Sequence, residues 1–437
     1  MHNLRRQLTH NETQYVLYHL SAFVSLDRPI TDILTFPNFE ADLRTDFRID
    51  NIPVLFPLSD KQIPYVEQDG HIVFCHDLLK SAFYLLSAYQ EYASSARDQW
   101  GRYPYEDSIQ KLLSCERTPI VCYYFEWILA ALQRQCQLLG LPFRRLSPLG
   151  GPRLHLSHDI DLVRYNSWRK TIYRFAQVVG LRPCDTSRLR LAKAAVRSLI
   201  YRSENPYWSF SRIQDNEVYL GYRSSWFVLL DDGSPFPPDY SFTDPDLQAE
   251  LQLIAERGNE VGLHSSIGCN TPSDYRLQQK LLSENIVCNP QFNRKHFLSI
   301  DPSSWAQTMA NADIKVDCSF GFSTSEGFRN SYCFPFHPFD HQANRMLPLF
   351  EVPLSMMDVT MLHHKAMSFD DIFLSVGSML DEVRHFGGLF SLLWHNSTFD
   401  ETYYPGICRF YEDLHTLFAQ YQLQPILLSQ IASNTKI

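Results

Sequence analysis

The stretch RLHLSHDIDLVR, residues 153–164, places a histidine and two aspartates at the end of an apolar run. Its first residues alternate between apolar and polar side chains, as in a β-strand, whose successive side chains point to opposite faces. His158, Asp159 and Asp161 close that run. Because ligands gather at the carboxyl ends of strands in α/β folds, we expect the two carboxylates to border a binding site.

The same arrangement recurs through the rest of the chain. Amphipathic helical patterns such as DLQAELQLIAERG (246–258) separate six further strand-like runs. The runs are SSWFVLLD (224–231), NEVGLHS (259–265), IKVDCS (314–319), LFEVPLSMMD (349–358), GLFSLLWHN (388–396) and QPILLSQ (424–430). This alternation predicts a parallel α/β sheet or barrel. His264, Asp358 and His395 close or follow such runs and join the candidate site.

Two domains are expected from the length of 437 residues and from a change in pattern. Proline and glycine cluster at residues 140–157, between mixed α+β material and the alternating region. We therefore predict a smaller α+β domain over residues 1–146 and an α/β domain over residues 147–437. The loop DQWGRYPYEDS (98–108) is the best candidate for a contact loop in the first domain, although solvent-facing packing is the favoured interpretation.

Composition narrows the function. The formal net charge of −9 argues against nucleic acid or an anionic membrane as the main partner. Ten cysteines occur without a CxxC pair, which is typical of buried thiols in a reducing compartment. No window approaches the roughly 18 apolar residues of a membrane span, and no signal peptide is recognisable. A cytoplasmic protein is expected.

Each candidate residue also has a structural interpretation. The paired His158-Asp159 would suit a metal phosphohydrolase only on a helix, and Asp159-Ile160-Asp161 occurs in glycosyltransferases, which need a preceding nucleotide-binding half that is absent here. An aspartate can simply cap a helix, and a lone histidine is more often structural than a ligand. His264 with Asp161 offers the imidazole and oxygen that suit zinc, and His395 suits general acid catalysis. Asp231-Asp232-Gly233 is interpreted as a turn.

Several motifs, in this order, resemble the polysaccharide deacetylase (NodB-like, carbohydrate esterase) superfamily. They are LSHDIDL (156–162), EVGLHSS (260–266), NRKHFLSI (293–300), CSFGFSTSEGFRNSYCFPFHPFD (318–340), LFEVPLSMMDVTM (349–361) and LLWHNSTFD (392–400). The resemblance covers roughly residues 154–437. LLSAYQEYASSARDQWGRYPYEDS (85–108) resembles an extra N-terminal domain of unknown function found in bacterial members.

The resemblance implies a distorted (β/α) barrel and metal-dependent removal of an N-acetyl group from a sugar in a polysaccharide or glycoconjugate precursor. It implies that Asp159 is the general base and that Asp161 and His264 bind a divalent metal, with zinc expected. His395 would protonate the leaving amine. Arg294 would orient Asp159, and Asp358 would orient His395.

One position departs from the family pattern. The family has a second histidine four residues after the first, where this chain has Gly268. Asn270, Ser265, His296 or water could replace that ligand, and the sequence leaves these alternatives open. Loss of the ligand also leaves a second function open, a catalytically inactive carbohydrate-binding or scaffold protein that keeps the deacetylase fold.

Overall fold

The structure is a computed structural model that describes residues 3–165, 168–183, 187–200 and 205–434. The N-terminal part is mixed α and β. Its helices are α1 (His10–Ser21), α2 (Leu78–Leu86), α3 (Tyr89–Ala93), α4 (Ile109–Leu113) and α5 (Ile120–Leu139). Its short strands are β1 (Val24–Ser25), β2 (Arg48–Ile49), β3 (Ile52–Pro53), β4 (Tyr65–Gln68), β5 (His71–Phe74) and β6 (Arg144–Arg145).

A curled parallel sheet organises the rest of the chain. Its strands are β7 (Arg153–Ile160), β8 (Ser224–Leu229), β9 (Glu260–Ser265), β10 (Phe292–Lys295), β11 (Val316–Asp317), β14 (Phe350–Glu351), β15 (Met356–Met357), β16 (Leu389–Leu393) and β17 (Gln424–Pro425). A separate antiparallel pair joins β12 (Phe339–Asp340) to β13 (Arg345–Met346). The helices are α6 (Trp168–Val178), α7 (Arg188–Ile200), α8 (Phe210–Tyr219), α9 (Pro245–Glu256), α10 (Pro272–Asn285), α11 (Trp305–Ala310), α12 (Phe369–Phe386), α13 (Ile407–Gln420) and α14 (Leu428–Ala432).

The sheet curls because its two edge strands are neighbours in sequence. The strand order is β14-β11-β10-β9-β8-β7-β16-β15, with β17 paired to β7. Only residues 352–355 connect edge strand β14 to edge strand β15. Val352 donates its backbone N–H to Asp317 on one side, and Ser355 donates to Ser391 on the other. The predicted α/β fold with a distorted barrel is confirmed.

Strand β7 separates two environments. Its side chains alternate between faces, so His155, Ser157 and Asp159 face the inside of the curled sheet with Asp161 just beyond them. His158 faces outward, against Trp226 of β8 and Glu217 of α8. The fold therefore assigns His158 and Asp159, adjacent in sequence, to opposite sides of one strand.

The N-terminal part packs directly on the barrel. Both contribute to one continuous hydrophobic core. A buried ion pair joins Glu91 of α3 to Arg329 of the barrel region at 2.6 Å, and Val121 of α5 donates its N–H to the carbonyl of Ser331. The boundary at residues 146 and 147 stays a prediction. Among the described residues, no helix combines the length and apolar character needed to cross a bilayer.

Candidate metal and catalytic site

Parallel strands bring the predicted carboxylates and His264 together at the carboxyl edge of the sheet. Asp159 and Asp161 come from the end of β7, and His264 comes from the end of β9, with β8 between them. The Nε2 atom of His264 lies 3.3 Å from Asp161 Oδ1 and 3.5 Å from Asp159 Oδ2. Asp159 and His264 are buried, and the side chain of Asp161 is 23% exposed.

A hydrogen bond at the ring nitrogen that faces away from the carboxylates fixes the orientation of His264. Its Nδ1 atom lies 2.9 Å from the backbone carbonyl of Arg294. A carbonyl only accepts hydrogen bonds, so Nδ1 carries a proton, and in the neutral ring the Nε2 lone pair is available to a cation held beside the two carboxylates. Burial opposes a charge on His264, but Asp159 and Asp161 outweigh it and raise its pKa. A cation between these groups would take the place of that proton.

Three buried polar atoms at this edge make no hydrogen bond of acceptable geometry among the described residues, although the first and third lie 3.3 Å apart: His264 Nε2, Asp159 Oδ1 and Asp161 Oδ1. An unsatisfied buried polar atom costs about 1–3 kcal/mol. Three such atoms in one cluster therefore fit a site that a bound cation would stabilise. Burial raises the pKa of Asp161, but His296, His264 and His395 outweigh it and hold that pKa below its usual value.

His296 completes the cluster. It follows β10 directly, and its Nε2 atom lies 3.8 Å from Asp161 Oδ2. One ligating atom each from Asp161, His264 and His296 lies within 4.8 Å of the other two. Burial outweighs the attraction of Asp161 and lowers the pKa of His296 to about 4, so the imidazole is neutral and able to ligate. His296 was one of the four alternatives for the missing ligand.

The other protein candidates are engaged elsewhere. Asn270 donates its amide N–H groups to the carbonyls of Ile267 and Gly268. Ser265 Oγ lies 3.5 Å from the carbonyl of Arg294. Of the three side chains considered as the replacement ligand, His296 is therefore the one that faces Asp161.

The loop containing Gly268 wraps around the buried side chain of Lys295. Lys295 donates to the carbonyl of Ser266 at 2.7 Å and also to that of Cys269. A Cβ atom at Gly268 would lie 3.0 Å from Asp232 Oδ2. Backbone N–H groups of residues 233 and 234 donate to Asp231 and Asp232, which fits the predicted turn. A side chain at position 268 would therefore meet the loop after β8.

His395 forms a pair with Asp358 on the far side of Asp161. Its Nδ1 atom donates to Asp358 Oδ1 at 2.7 Å, and its backbone N–H donates to Oδ2 at 2.8 Å. Thr398 also donates to Oδ2. The free Nε2 atom lies 3.7 Å from Asp161 Oδ2. Burial opposes protonation, but Asp358 and Asp161 raise the pKa of His395 to about 10. The pair therefore holds a proton at the edge of the cluster.

Arg294 departs from its predicted role. Its Nη2 atom donates to Ser157 Oγ at 2.8 Å, and the guanidinium lies 5.0 Å above the ring of Phe227. Ser157 precedes Asp159 by two residues on the same face, so Arg294 lies one layer deeper in the barrel. Its Nε and Nη1 atoms have no hydrogen-bond partner among the described residues. Orientation of Asp159 by Arg294 is therefore not observed.

The N-terminal part contributes to this site through the loop at 98–108, whose contact partner the sequence did not identify. The ring of Trp100 stacks on Phe297 with centroids 4.8 Å apart, and Arg102 donates to the carbonyl of Phe297 at 2.7 Å. Phe297 and Leu298 have φ angles of 59° and 50°, in the left-handed region that bulky residues rarely adopt. The loop at 98–108 thus supports the strained turn that begins with His296.

Comparisons with known proteins add the following. Residues 7–137 match the model of a family of unknown function, DUF7033, which covers less than half of the chain. No curated protein matches the chain. One similar solved structure, provisionally assigned as a polysaccharide deacetylase from Mycobacterium smegmatis, has 14% identity and a TM-score of 0.40, covering 64% of this chain and 90% of that one.

A second similar structure is a mutant of a CE4-family pseudoenzyme with restored enzymatic activity. It has 10% identity and a TM-score of 0.31, covering 67% of this chain and 78% of that one. With TM-scores below 0.5, neither similarity decides an activity. The chain is thus similar to DUF7033 over residues 7–137 and, over about two thirds of its length, to these two solved structures.

Proposed function

We propose that the protein is a metal-dependent hydrolase that removes an N-acetyl group from a sugar in a polysaccharide or glycoconjugate precursor. The observation that carries this proposal is the open cluster of Asp161, His264 and His296, whose ligating atoms lie within 4.8 Å of one another. Asp159 and the His395–Asp358 pair border the same cluster. The order of the sequence motifs points to the same chemistry.

The donor set fits a divalent metal, and zinc is the proposed ion. Two imidazoles and one carboxylate are a common protein ligand set for catalytic zinc, which keeps a further position open for water or substrate. Asp161, His264 and His296 would hold it. When bound, such an ion polarises a carbonyl and lowers the pKa of water from about 16 toward 7.

Asp159 and His395 supply the two proton transfers that amide hydrolysis requires. Asp159 Oδ1 is buried and has no partner among the described residues, so it can accept a proton from the attacking water. His395 Nε2 faces the cluster and can give a proton to the departing amine, which then leaves as acetate forms. Asp358 fixes the ring through Nδ1, which keeps Nε2 directed at the site.

The competing function, an inactive sugar-binding or scaffold protein, rested on the missing histidine at position 268. The structure offers His296 in its place, and Asp159 and His395 are both retained. Metal binding distinguishes the two functions, because a scaffold has no need for the open cluster.

The test is metal content and acetate release, measured on protein purified without chelator. We expect near-stoichiometric zinc and acetate release from N-acetylated oligosaccharides or nucleotide-linked N-acetyl sugars. Asp161→Ala should lose both, whereas Asp370→Ala, at an exposed position of α12, should retain both. Zinc-loaded protein inert on every acetylated sugar, or full activity in Asp161→Ala, would contradict the proposal.

A cytoplasmic location is part of this proposal. The described cysteines are all free thiols, and seven of the nine are buried. Free buried thiols are typical of a reducing compartment. Fractionation of cells that produce the protein tests this location. A cytoplasmic location favours a precursor over finished polymer as the substrate.

A further inference from the structure

The segment between β7 and β8 differs in charge from the rest of the chain. Residues 164–202 contain ten arginines and lysines and one aspartate, a local net charge of +9 in a chain whose net charge is −9. The segment includes α6 and α7, which pack against each other. The overall charge therefore conceals a strongly basic stretch of sequence.

This helix pair also exposes large apolar side chains. Of 22 such exposed side chains among the described residues, eight lie between positions 172 and 200. One set, spaced three and four residues apart, follows α6: Ile172, Phe175 and Val179. The other follows one face of α7: Leu189, Val196 and Ile200. These six side chains are between 49% and 80% exposed. They form a group on two packed helices, unlike the single exposed apolar side chains that are normal on a protein surface.

Basic side chains flank the apolar face of α7. Arg190, Lys193 and Arg197 recur at intervals of three and four residues, so they share a helix face next to Leu189 and Val196. They line a groove of about 1130 Å³ together with residues 399–402, which directly follow the turn after His395. The basic face therefore lies beside the segment that follows His395 in the chain.

We propose that the α6–α7 pair is a docking surface for an anionic lipid bilayer. A helix with one apolar face and flanking Lys and Arg residues inserts its apolar side chains at the headgroup boundary while its cations meet anionic lipids. The helices lie on the bilayer, since none of the described helices can cross it. The acidic remainder of the chain is repelled by the same lipids, which fixes one orientation. Docking does not depend on the proposed reaction.

Cosedimentation of the full chain with vesicles tests this surface. We expect binding to vesicles of phosphatidylcholine with about 30% phosphatidylglycerol, weak binding to phosphatidylcholine alone, and loss of binding as salt screens the charges. Removing two cations should weaken binding about 30-fold, at about fivefold for each cation. The variant Arg190→Gln with Lys193→Gln measures that effect.

The apolar component needs its own variant. Ile172→Ser with Phe175→Ser should weaken vesicle binding, whereas Leu277→Ser with Leu374→Ser, at exposed positions of α10 and α12, should not. Circular dichroism checks that each variant is folded. Absence of wild-type binding to anionic vesicles would overturn the proposal. Self-association that both α6–α7 variants abolish, without vesicle binding, would also overturn it, because a second copy would then cover this face.

Discussion

The two faces of strand β7 show what separates a structural histidine–carboxylate pair from a functional one. On the outer face, His158 lies 2.7 Å from the carbonyl of Trp394 and 2.8 Å from Glu217, and Glu217 also accepts hydrogen bonds from Tyr411 and Ser224. On the inner face, one residue further along, Asp159 and its neighbours keep unpartnered acceptor atoms. His158, Glu217 and Asp159 are all buried, so burial alone does not separate the two faces.

The difference lies in how many hydrogen-bonding atoms are satisfied. A fully paired buried group rigidifies the fold. An incompletely paired buried cluster is costly unless a ligand completes it, and the proposed metal would do so. The outer pair should therefore govern stability, and the inner cluster should govern metal binding and turnover.

The largest expected effect is on turnover. Asp159→Asn keeps the shape of the side chain but removes the proton acceptor, so acetate release should fall by about 10²–10⁴-fold. Metal content and the denaturation midpoint should match those of the wild type. Retention of activity in this variant would move the general base to another residue.

The next effect is on stability and belongs to the outer face. Glu217→Ala leaves His158 and Tyr411 without their buried acceptor, and should lower the free energy of unfolding by about 3–5 kcal/mol. Denaturant titration in the presence of chelator measures it. The matched inner-face variant Asp161→Ala should lose metal without a comparable loss of stability. Equal destabilisation by both variants would erase the distinction between the faces.

A pH experiment refines the comparison with a paired histidine on the inner face. His155 lies 3.0 Å from Ser391 Oγ and 3.2 Å from Ser225 Oγ, and burial lowers its pKa to about 3. Below pH 6.5 the unfolded chain binds a proton that the folded protein does not. The free energy of unfolding should therefore decrease as the pH falls. His155 should contribute about 2 kcal/mol to this decrease between pH 6.5 and 5.

The control for this slope is His155→Gln. The variant should lose that part of the acid sensitivity, so its unfolding free energy should depend less on pH in this window. Denaturant titrations of both proteins at pH 7.5, 6 and 5 measure the difference. Parallel pH curves for the two proteins would contradict a neutral His155.

The smallest effect concerns the N-terminal support of the inner cluster. Arg102→Ala removes the donor to the carbonyl of Phe297, next to His296, and should weaken zinc affinity about tenfold, as loss of an outer partner of a metal ligand does. Arg97→Ala, which breaks an ion pair with Asp301 in the same region, is the control and should not change the affinity. Equal affinities for all three proteins would show that Arg102 does not position His296.

Much of the fold was predictable because apolar runs and helical periodicity define its elements. Strand β10 was not predicted. Its residues Phe292–Lys295 include no apolar run, since the buried positions are held by Asn293, Arg294 and Lys295. LFEVPLSMMD, predicted as one strand, is divided between β14 and β15, because the chain passes there from one edge of the sheet to the other.

The site was predictable only in part. Asp159, Asp161, His264 and His395 follow strand ends, so parallel pairing alone brings them together. His296 follows the unpredicted strand β10 and could be offered only as one of several alternatives. Its support by Trp100 and Arg102 depends on contacts about 200 positions apart in the sequence, which no local pattern records.

The most direct measurement is a zinc titration of the chelator-treated protein, by calorimetry, beside His296→Ala and Asp161→Ala. We expect one zinc per wild-type chain, binding abolished in Asp161→Ala and substantially weakened in His296→Ala. A wild-type protein that binds no zinc, or a His296→Ala variant that binds it with unchanged affinity, would contradict the assignment of Asp161, His264 and His296 as the metal site.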